Sequence, residues 1–245
     1  MLFEVRQVSK SFGALKAVNR VTLAVEKGQV VSLIGPNGAG KTTLFNLITG
    51  VFYPEEGDIF FNNHRITGMP PCKLCHLGLS RSFQITNIFQ GMTVFENIRL
   101  ASQGQVRKFN LLGSVSRLTP PIKEAERILD LFGLWEQRDE LAGTLSHGDQ
   151  RYLELGIALA SQPSMLVLDE PTAGMTPMET RASIELIKRL REKVTMMLIE
   201  HDIDLVFEVS DRIMVMHQGS LLAEGPPNEV KNNKAVQVAY LGEEI

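Results

Sequence analysis

Long apolar runs are missing from this chain of 245 residues, and a stretch of about 18 apolar residues, the minimum for a membrane-spanning helix, does not occur. The first ten residues alternate apolar and polar side chains and do not resemble a signal peptide. Positive charge is not in excess either, because 25 Lys and Arg stand against 28 Asp and Glu. This balance gives no indication of nucleic-acid binding. We therefore expect a chain of the cytosol that reaches a membrane only peripherally, through a partner.

Cysteine is scarce. The two cysteines, Cys72 and Cys75, precede His76 and formally complete the C-x-x-C-H pattern of haem c attachment. Without an export signal we interpret this match as incidental. A zinc site would need two more ligands nearby, and the segment does not sit in a thioredoxin-like context. A chain of this length can bury a substantial core without cross-links.

Apolar patterning predicts short strands that alternate with helices, which indicates an α/β fold with a mostly parallel sheet. Strands are predicted at 2–8, 21–25, 30–34, 58–61, 165–168, 195–199, 213–216 and 221–224. Helices are predicted at 42–49, about 93–101, 121–132, about 148–160, about 177–192 and 203–209, and a polar helix is predicted after the strand 221–224, while 107–119 has no clear period. We expect a core of residues 1–87 and 161–245 with a helical subdomain, residues 88–160, inserted into it.

A glycine-rich loop follows the predicted strand 30–34 and opens a helix. Its sequence fits G-x-x-x-x-G-K-[ST] and reads Gly35-Pro36-Asn37-Gly38-Ala39-Gly40-Lys41-Thr42. Glycines let the backbone wrap closely around phosphates at a helix N-terminus, where Lys41 would pair with the β and γ phosphates and Thr42 would bind Mg²⁺. The residues expected to bind the nucleotide here are Asn37, Gly38, Ala39, Gly40, Lys41, Thr42 and Thr43.

Two carboxylates, Asp169 and Glu170, end the predicted strand 165–168. Ligand sites of α/β proteins gather at the carboxyl ends of strands, so Asp169 is placed to hold Mg²⁺. Adjacent strand residues point to opposite faces, which lets Glu170 turn away from the metal and face an attacking water. Phosphoryl transfer needs both a metal ligand and a group that orients water.

A second anion site is predicted at Leu145-Ser146-His147-Gly148-Asp149-Gln150, where Ser146 and Gly148 offer a hydroxyl and a bare backbone at the start of a helix. One chain would not need two phosphate sites for one nucleotide. Two chains that face each other would, because each could cap the ATP bound to the other.

These motifs resemble the ABC-type ATPases, whose signature is usually written LSGGQ; here His147 replaces the first paired glycine and Asp149 precedes the glutamine. The resemblance covers nearly the whole chain and implies a P-loop, RecA-like core, an antiparallel β subdomain, the inserted helical subdomain, and ATP with Mg²⁺. It further implies that Phe12 stacks on adenine, that Gln84 touches Mg²⁺ and the attacking water, and that His201 contacts the γ-phosphate. Residues 173–176 are similar to the D-loop of the family.

Finer features, including Arg81-Ser82-Phe83-Gln84 and the closing Tyr240-Leu241-Gly242, look like the importer ATPases for branched-chain amino acids. The resemblance implies a second ATP-binding subunit, identical or paralogous, integral membrane permease subunits, indirectly a substrate-binding protein, and a peripheral position on the cytoplasmic face of the membrane. Importers of urea or short-chain amides, and a soluble ABC ATPase without a transport role, stay open as alternatives.

Overall fold

The computed structural model describes residues 1–81, 88–104 and 119–241, and within them it contains ten strands and nine α-helices. Gln84, predicted to act at the active site, lies outside the described residues. The strands are β1 (Phe3–Phe12), β2 (Leu15–Val25), β3 (Val30–Ile34), β4 (Glu56–Phe61), β5 (His64–Arg65), β6 (Leu79–Arg81), β7 (Met165–Asp169), β8 (Thr195–Ile199), β9 (Arg212–His217) and β10 (Ser220–Gly225). The helices are α1 (Lys41–Ile48), α2 (Pro71–Leu77), α3 (Val94–Gln103), α4 (Thr119–Phe132), α5 (His147–Ala160), α6 (Pro177–Leu190), α7 (Ile203–Val209), α8 (Pro227–Lys231) and α9 (Lys234–Leu241).

The larger sheet has six strands in the order β10-β9-β3-β8-β7-β6, and only the β10–β9 pair at one edge is antiparallel. Its central strands are buried on both faces, which explains their continuous apolar sequences. In β3, Val31 and Leu33 join one hydrophobic cluster, whereas Val30 and Ile34 join the other. The sheet therefore separates two cores, and the carboxyl ends of β3, β7 and β8 meet at one edge.

The smaller sheet is antiparallel, with four strands in the order β2-β1-β4-β5. Its buried side chains, among them Phe3 and Phe61, share a cluster with Leu44 and Phe45 of α1. This cluster fixes α1, and with it the phosphate loop, between the two sheets. An antiparallel β layer beside a mostly parallel sheet is the architecture that the family resemblance implied.

Helices α3, α4 and α5 contact one another on the opposite side of the larger sheet. Helix α3 begins with the predicted capping box, in which Thr93 Oγ1 accepts from the Glu96 amide at 3.1 Å. Side chains such as Ile98, Ile128 and Leu153 bury the shared face of this bundle.

Local patterning missed three elements. Helix α2 is short and buries only Leu74, so it lacks the apolar periodicity that announces a helix. Strands β5 and β6 have two and three residues. Strands β1 and β2 extend further than predicted because their ends form a projecting hairpin with few buried side chains.

No helix in the described ranges combines the length and the apolar character needed to cross a bilayer.

Candidate active site at the carboxyl ends of the parallel strands

A cavity of about 580 Å³ lies where β3 ends and α1 begins. It brings together Phe12 of the hairpin, the loop 37–43, and the strand-end residues Glu170 and His201. Phe12 is 47% exposed, and its ring packs edge-on against Phe52 with the ring centroids 5.5 Å apart. Lys10 Nζ lies over the same ring, 5.7 Å from its centroid, so a partly exposed aromatic ring with a cation beside it lines the cavity.

Two glycines of the loop occupy positions that a side chain could not share. Gly35 and Gly40 have φ angles of 154° and 100°, and a Cβ atom on either would lie 2.2 Å from a backbone carbonyl oxygen. For Gly40 that oxygen belongs to Ala17 of β2. The loop also receives support from the turn after β9, because the Gly219 amide donates to the Ala39 carbonyl at 3.0 Å. The neighbouring backbone therefore sets the shape of the loop.

Lys41 is the first residue of α1 and is buried. Its Nζ donates to the carbonyls of Gly35 at 2.6 Å and Pro36 at 3.1 Å, which holds the ammonium group over the loop. Burial lowers the pKa of Lys41, while Glu170 and Asp169 oppose this shift. No side chain caps α1 and its first turn has no acidic residue, so a positive helix terminus faces the cavity.

Glu170 and His201 meet although they follow different strands. Strands β7 and β8 are parallel neighbours, and His201 Nε2 lies 2.7 Å from Glu170 Oε1. Glu170 has a φ of 47°, a region that non-glycine residues seldom adopt, and its amide donates to the Ile199 carbonyl at 2.8 Å. Such strain persists where the surroundings enforce it, and it often occurs at functional sites. Here the cross-strand hydrogen bond turns the Glu170 side chain toward the cavity.

Asp169 is buried at the end of β7. Its pKa is raised to about 6, first by burial and then by the charge of Glu170, while the charge of Arg81 opposes this shift. Arg81 ends β6, stacks over the Phe45 ring at 5.0 Å and donates to Thr49 Oγ1 at 3.0 Å. A cation bound beside Asp169 would favour its ionised form.

The oxygen donors of Thr42 and Asp169 fit Mg²⁺, a hard ion that takes few protein ligands and completes its shell with water and phosphate oxygens. Within the described residues no group of three or more His, Cys, Asp and Glu side chains forms a denser metal site. A Mg²⁺ ion held by Thr42 and Asp169 would need water or phosphate oxygens to complete its shell.

The start of α5 lies apart from this cavity, which neither Ser146 nor Gly148 lines. Ser146 Oγ accepts from the Asp149 amide at 3.1 Å and donates to Asp149 Oδ2 at 2.7 Å. Gly148 packs against α6, where an added Cβ would approach Glu179 Oε1 to 2.3 Å. Of the residues predicted to bind nucleotide, this pair alone among the described ones lies outside the cavity.

The structure also shows residues that sequence reasoning missed. Glu200 is buried between the strand ends, where its Oε1 accepts from Thr172 Oγ1 at 2.7 Å and its Oε2 accepts from the His201 amide at 3.0 Å. It thus ties the segment after Glu170 to the segment that carries His201. Only its position beside a predicted site histidine could have indicated this role. Lys16, Ala17, Gln218 and Gly219 also line the cavity.

Comparison with known proteins agrees with this geometry. Residues 18–173 match the family described as ABC transporter, and residues 220–245 match that described as branched-chain amino acid ATP-binding cassette transporter. The high-affinity branched-chain amino acid transport ATP-binding proteins LivG of Escherichia coli and BraF of Pseudomonas aeruginosa are each 42% identical to the chain, over 99% of its length and 98% of theirs. A crystal structure of a nucleotide-free ATP-binding cassette from an ABC transporter superposes with a TM-score of 0.84 at 33% identity, covering 99% of both chains. The chain therefore belongs to the ABC transporter family, as one of its ATP-binding and ATP-hydrolysing subunits.

Proposed function

We propose that this ABC subunit hydrolyses Mg·ATP to drive the uptake of branched-chain amino acids through membrane permease subunits. One observation supports the catalytic part most strongly: the buried Lys41 and the Glu170–His201 pair face the same cavity. The cargo follows the relatives named for branched-chain amino acid transport, which match along nearly the entire chain.

In this proposal the amides of the loop and the Lys41 ammonium hold the β and γ phosphates. Glu170 accepts a hydrogen bond from the attacking water, and it orients or deprotonates this water for attack on the γ-phosphate. His201 donates to Glu170 or to a γ-phosphate oxygen, which stabilises charge as it develops there. Mg²⁺, held by Thr42 and Asp169, neutralises phosphate charge when it is bound. Phe12 supports the adenine, and Gln84 is assigned to the metal and the water.

The start of α5 needs a second chain in this proposal. Ser146 and Gly148 would cap the ATP bound to a partner ATPase subunit, either identical or paralogous. The helical subdomain, residues 88–160, and the Gln84 segment would pass closure of the dimer to the permease. The subunit would then lie peripherally on the cytoplasmic face of the membrane, and a substrate-binding protein would deliver the cargo on the other side.

Substitution of Glu170 by Gln tests the catalytic assignment. The amide keeps the shape of the side chain but cannot accept a proton, so we expect retained ATP binding, turnover lower by about 100-fold, and an ATP-trapped dimer. The matched control is Glu192→Gln, which changes an exposed carboxylate beyond α6. Measurements are single-turnover ATP hydrolysis and dimer content by light scattering. Unchanged turnover in Glu170→Gln would refute the assigned role.

The cargo is tested separately, in vesicles that contain the permease, both ATPase subunits and the binding protein. We expect ATP-dependent uptake of leucine, isoleucine and valine. Uptake of urea or a short-chain amide instead would replace the cargo assignment and leave the ATPase assignment intact.

A further inference from the structure

Cys72 and Cys75 have no part in the proposed function, yet both line a second cavity of about 330 Å³. Its walls come from α2, from β6 and from α3 and α5, and none of its lining residues lines the nucleotide cavity. Much of the lining is apolar and includes Leu79, Ala101 and Ile157. The two thiols thus border an enclosure that a small molecule can enter.

The spacing of the two cysteines suits a bond between them. Both belong to α2, where residues three apart face the same side with Cβ atoms about 5–6 Å apart. A disulfide requires Cβ atoms about 3.5–4.5 Å apart, so closure requires the two Cβ atoms to approach each other by about 1–2 Å. Helix α2 has seven residues and buries only Leu74, so little packing opposes that shift.

A chain of hydrogen bonds distinguishes the two thiols. Ser161 Oγ donates to the Ala158 carbonyl at 2.8 Å, and Ser80 Oγ lies 2.6 Å from Ser161 Oγ. Ser80 therefore donates to Ser161, which leaves the Ser80 oxygen to accept from Cys75 Sγ at 3.8 Å. The Cys75 thiol is thus engaged in a hydrogen bond and is only partly exposed, whereas Cys72 is exposed. Cys72 is the thiol that a reagent reaches first.

A metal site at these residues has less support. His76 Nδ1 lies 2.6 Å from the Cys72 carbonyl oxygen, so this nitrogen donates its proton to the backbone and is not available as a metal ligand. No third Cys, Asp or Glu joins the pair and His76 among the residues that the structure describes. Two free thiols on one short helix, with no further ligand beside them in the described ranges, favour thiol chemistry over metal binding.

We propose that Cys72 and Cys75 are a redox-active dithiol that a small disulfide such as oxidised glutathione converts to an intrahelical disulfide. The Cys72 thiolate attacks one sulfur of the reagent, forms a mixed disulfide and releases one thiol. The Cys75 thiolate then attacks Cys72 Sγ and releases the second thiol. The protein loses two electrons and two protons, and the reagent takes them up as two thiols. This inference does not depend on the proposed transport function.

Intact-mass spectrometry of the full chain after treatment with oxidised glutathione tests the proposal. We expect a mass lower by two hydrogens, no retained glutathione, no chain-to-chain cross-link on a non-reducing gel, and full reversal by a thiol reductant. Because these are the two cysteines of the sequence, every thiol change is assignable. A stable glutathione adduct on the wild-type chain, cross-linked chains alone, or no reaction would overturn the proposal.

Single substitutions test the assigned order. Cys75→Ser should accumulate a mixed disulfide at Cys72, and Cys72→Ser should react about tenfold more slowly, since its remaining thiol is hydrogen-bonded. Thermal unfolding of both variants confirms that they are folded. Equal rates, or faster reaction of Cys72→Ser, would overturn the assignment of Cys72 as the attacking thiol.

Discussion

The sequence predicts an anion site at the N-terminus of both α1 and α5, but the first turns of the two helices differ in their caps and charges. Helix α1 starts after Gly40, has no side-chain cap and has no acidic residue in its first turn. Helix α5 starts after Ser146, whose hydroxyl caps the Asp149 amide and donates to the Asp149 carboxylate. Polar groups of the same chain thus already occupy the start of α5.

This difference bears on how the two sites work. The start of α1 faces a cavity that Lys41 lines with its ammonium group, so a phosphate can bind there without displacing an internal cap. At α5 an incoming phosphate would meet the Asp149 carboxylate, and like charges repel. We infer that α1 supplies most of the ATP affinity of the single chain, whereas α5 contributes only when a partner presents its nucleotide. The predictions below test this asymmetry.

The largest effect is expected for Lys41→Ala, which removes the cation at α1. ATP affinity should fall about 100-fold, which is about 3 kcal/mol, because a charge-assisted contact to phosphate is lost in a partly buried site. The control is Lys188→Ala, which removes a surface lysine paired with Glu185 and Glu208. Equilibrium binding of a labelled ATP analogue gives the dissociation constants of the two variants. A loss of less than threefold would contradict the asymmetry.

Matched glycine substitutions compare the two backbones directly. Gly40→Ala forces a left-handed φ on alanine and a contact with the Ala17 carbonyl, so stability should fall by about 2–3 kcal/mol. Gly148→Ala keeps an ordinary helical φ, but its Cβ would displace the Glu179 side chain, whose carboxylate caps α6 through Thr176, so we expect a smaller loss of about 1 kcal/mol. Urea unfolding measures the free energy of unfolding of both variants. ATP binding to the single chain should survive Gly148→Ala, while ATP-dependent dimer formation should weaken.

The acidic residue beside α1 should make stability depend on pH. The pKa of Asp169 is about 6 in the folded chain and 3.8 without burial, so the folded state holds the proton more tightly. Stability from this group is present at low pH and is lost as pH rises from about 4 to about 6. Without metal or nucleotide, the stability of Asp169→Asn relative to the wild type should therefore increase through that range and reach roughly 2–3 kcal/mol above pH 6. Denaturant unfolding at several pH values measures this gain, and one independent of pH would contradict the shift.

The smallest effect is expected at the cap of α5. Ser146→Ala removes the hydroxyl that accepts from the Asp149 amide, and loss of such a cap costs about 1 kcal/mol. Thr144→Ala is the control, because its hydroxyl donates to the Leu141 carbonyl and does not cap a helix. Urea unfolding compares the two variants. Equal stabilities would show that the start of α5 is not satisfied internally and would remove the basis of the comparison.

Contiguous features could be predicted from the sequence. The loop before α1, the capping box of α3 and the serine before α5 each depend on residues a few positions apart, because turns and caps are local interactions. The parallel sheet could also be predicted, because buried strands that alternate with helices along the chain indicate parallel pairing. The family resemblance added Phe12 and His201, which the structure brings to the loop; their roles stay predictions.

Other features could not be predicted because they depend on which strands are neighbours. Arg81 lies close enough to lower the pKa of Asp169, and Glu200 holds Thr172 and His201, although these residues are far apart in sequence. Helix α2 could not be predicted because a short, exposed helix has no periodic apolar pattern. The sequence around its two cysteines therefore indicates no site, whereas the structure places them beside Ser80 and a cavity.

Short segments of the sequence suffice to predict the candidate groups of this subunit: a glycine loop with its lysine, two carboxylates after a buried strand, and a capped helix start. Which of these groups share one cavity depends on the fold. Strand order is a property of long-range pairing, and it sets β8 between β3 and β7 so that His201 reaches Glu170 beside the loop. The same packing leaves the start of α5 outside that cavity, since α5 belongs to the helices on the other face of the sheet.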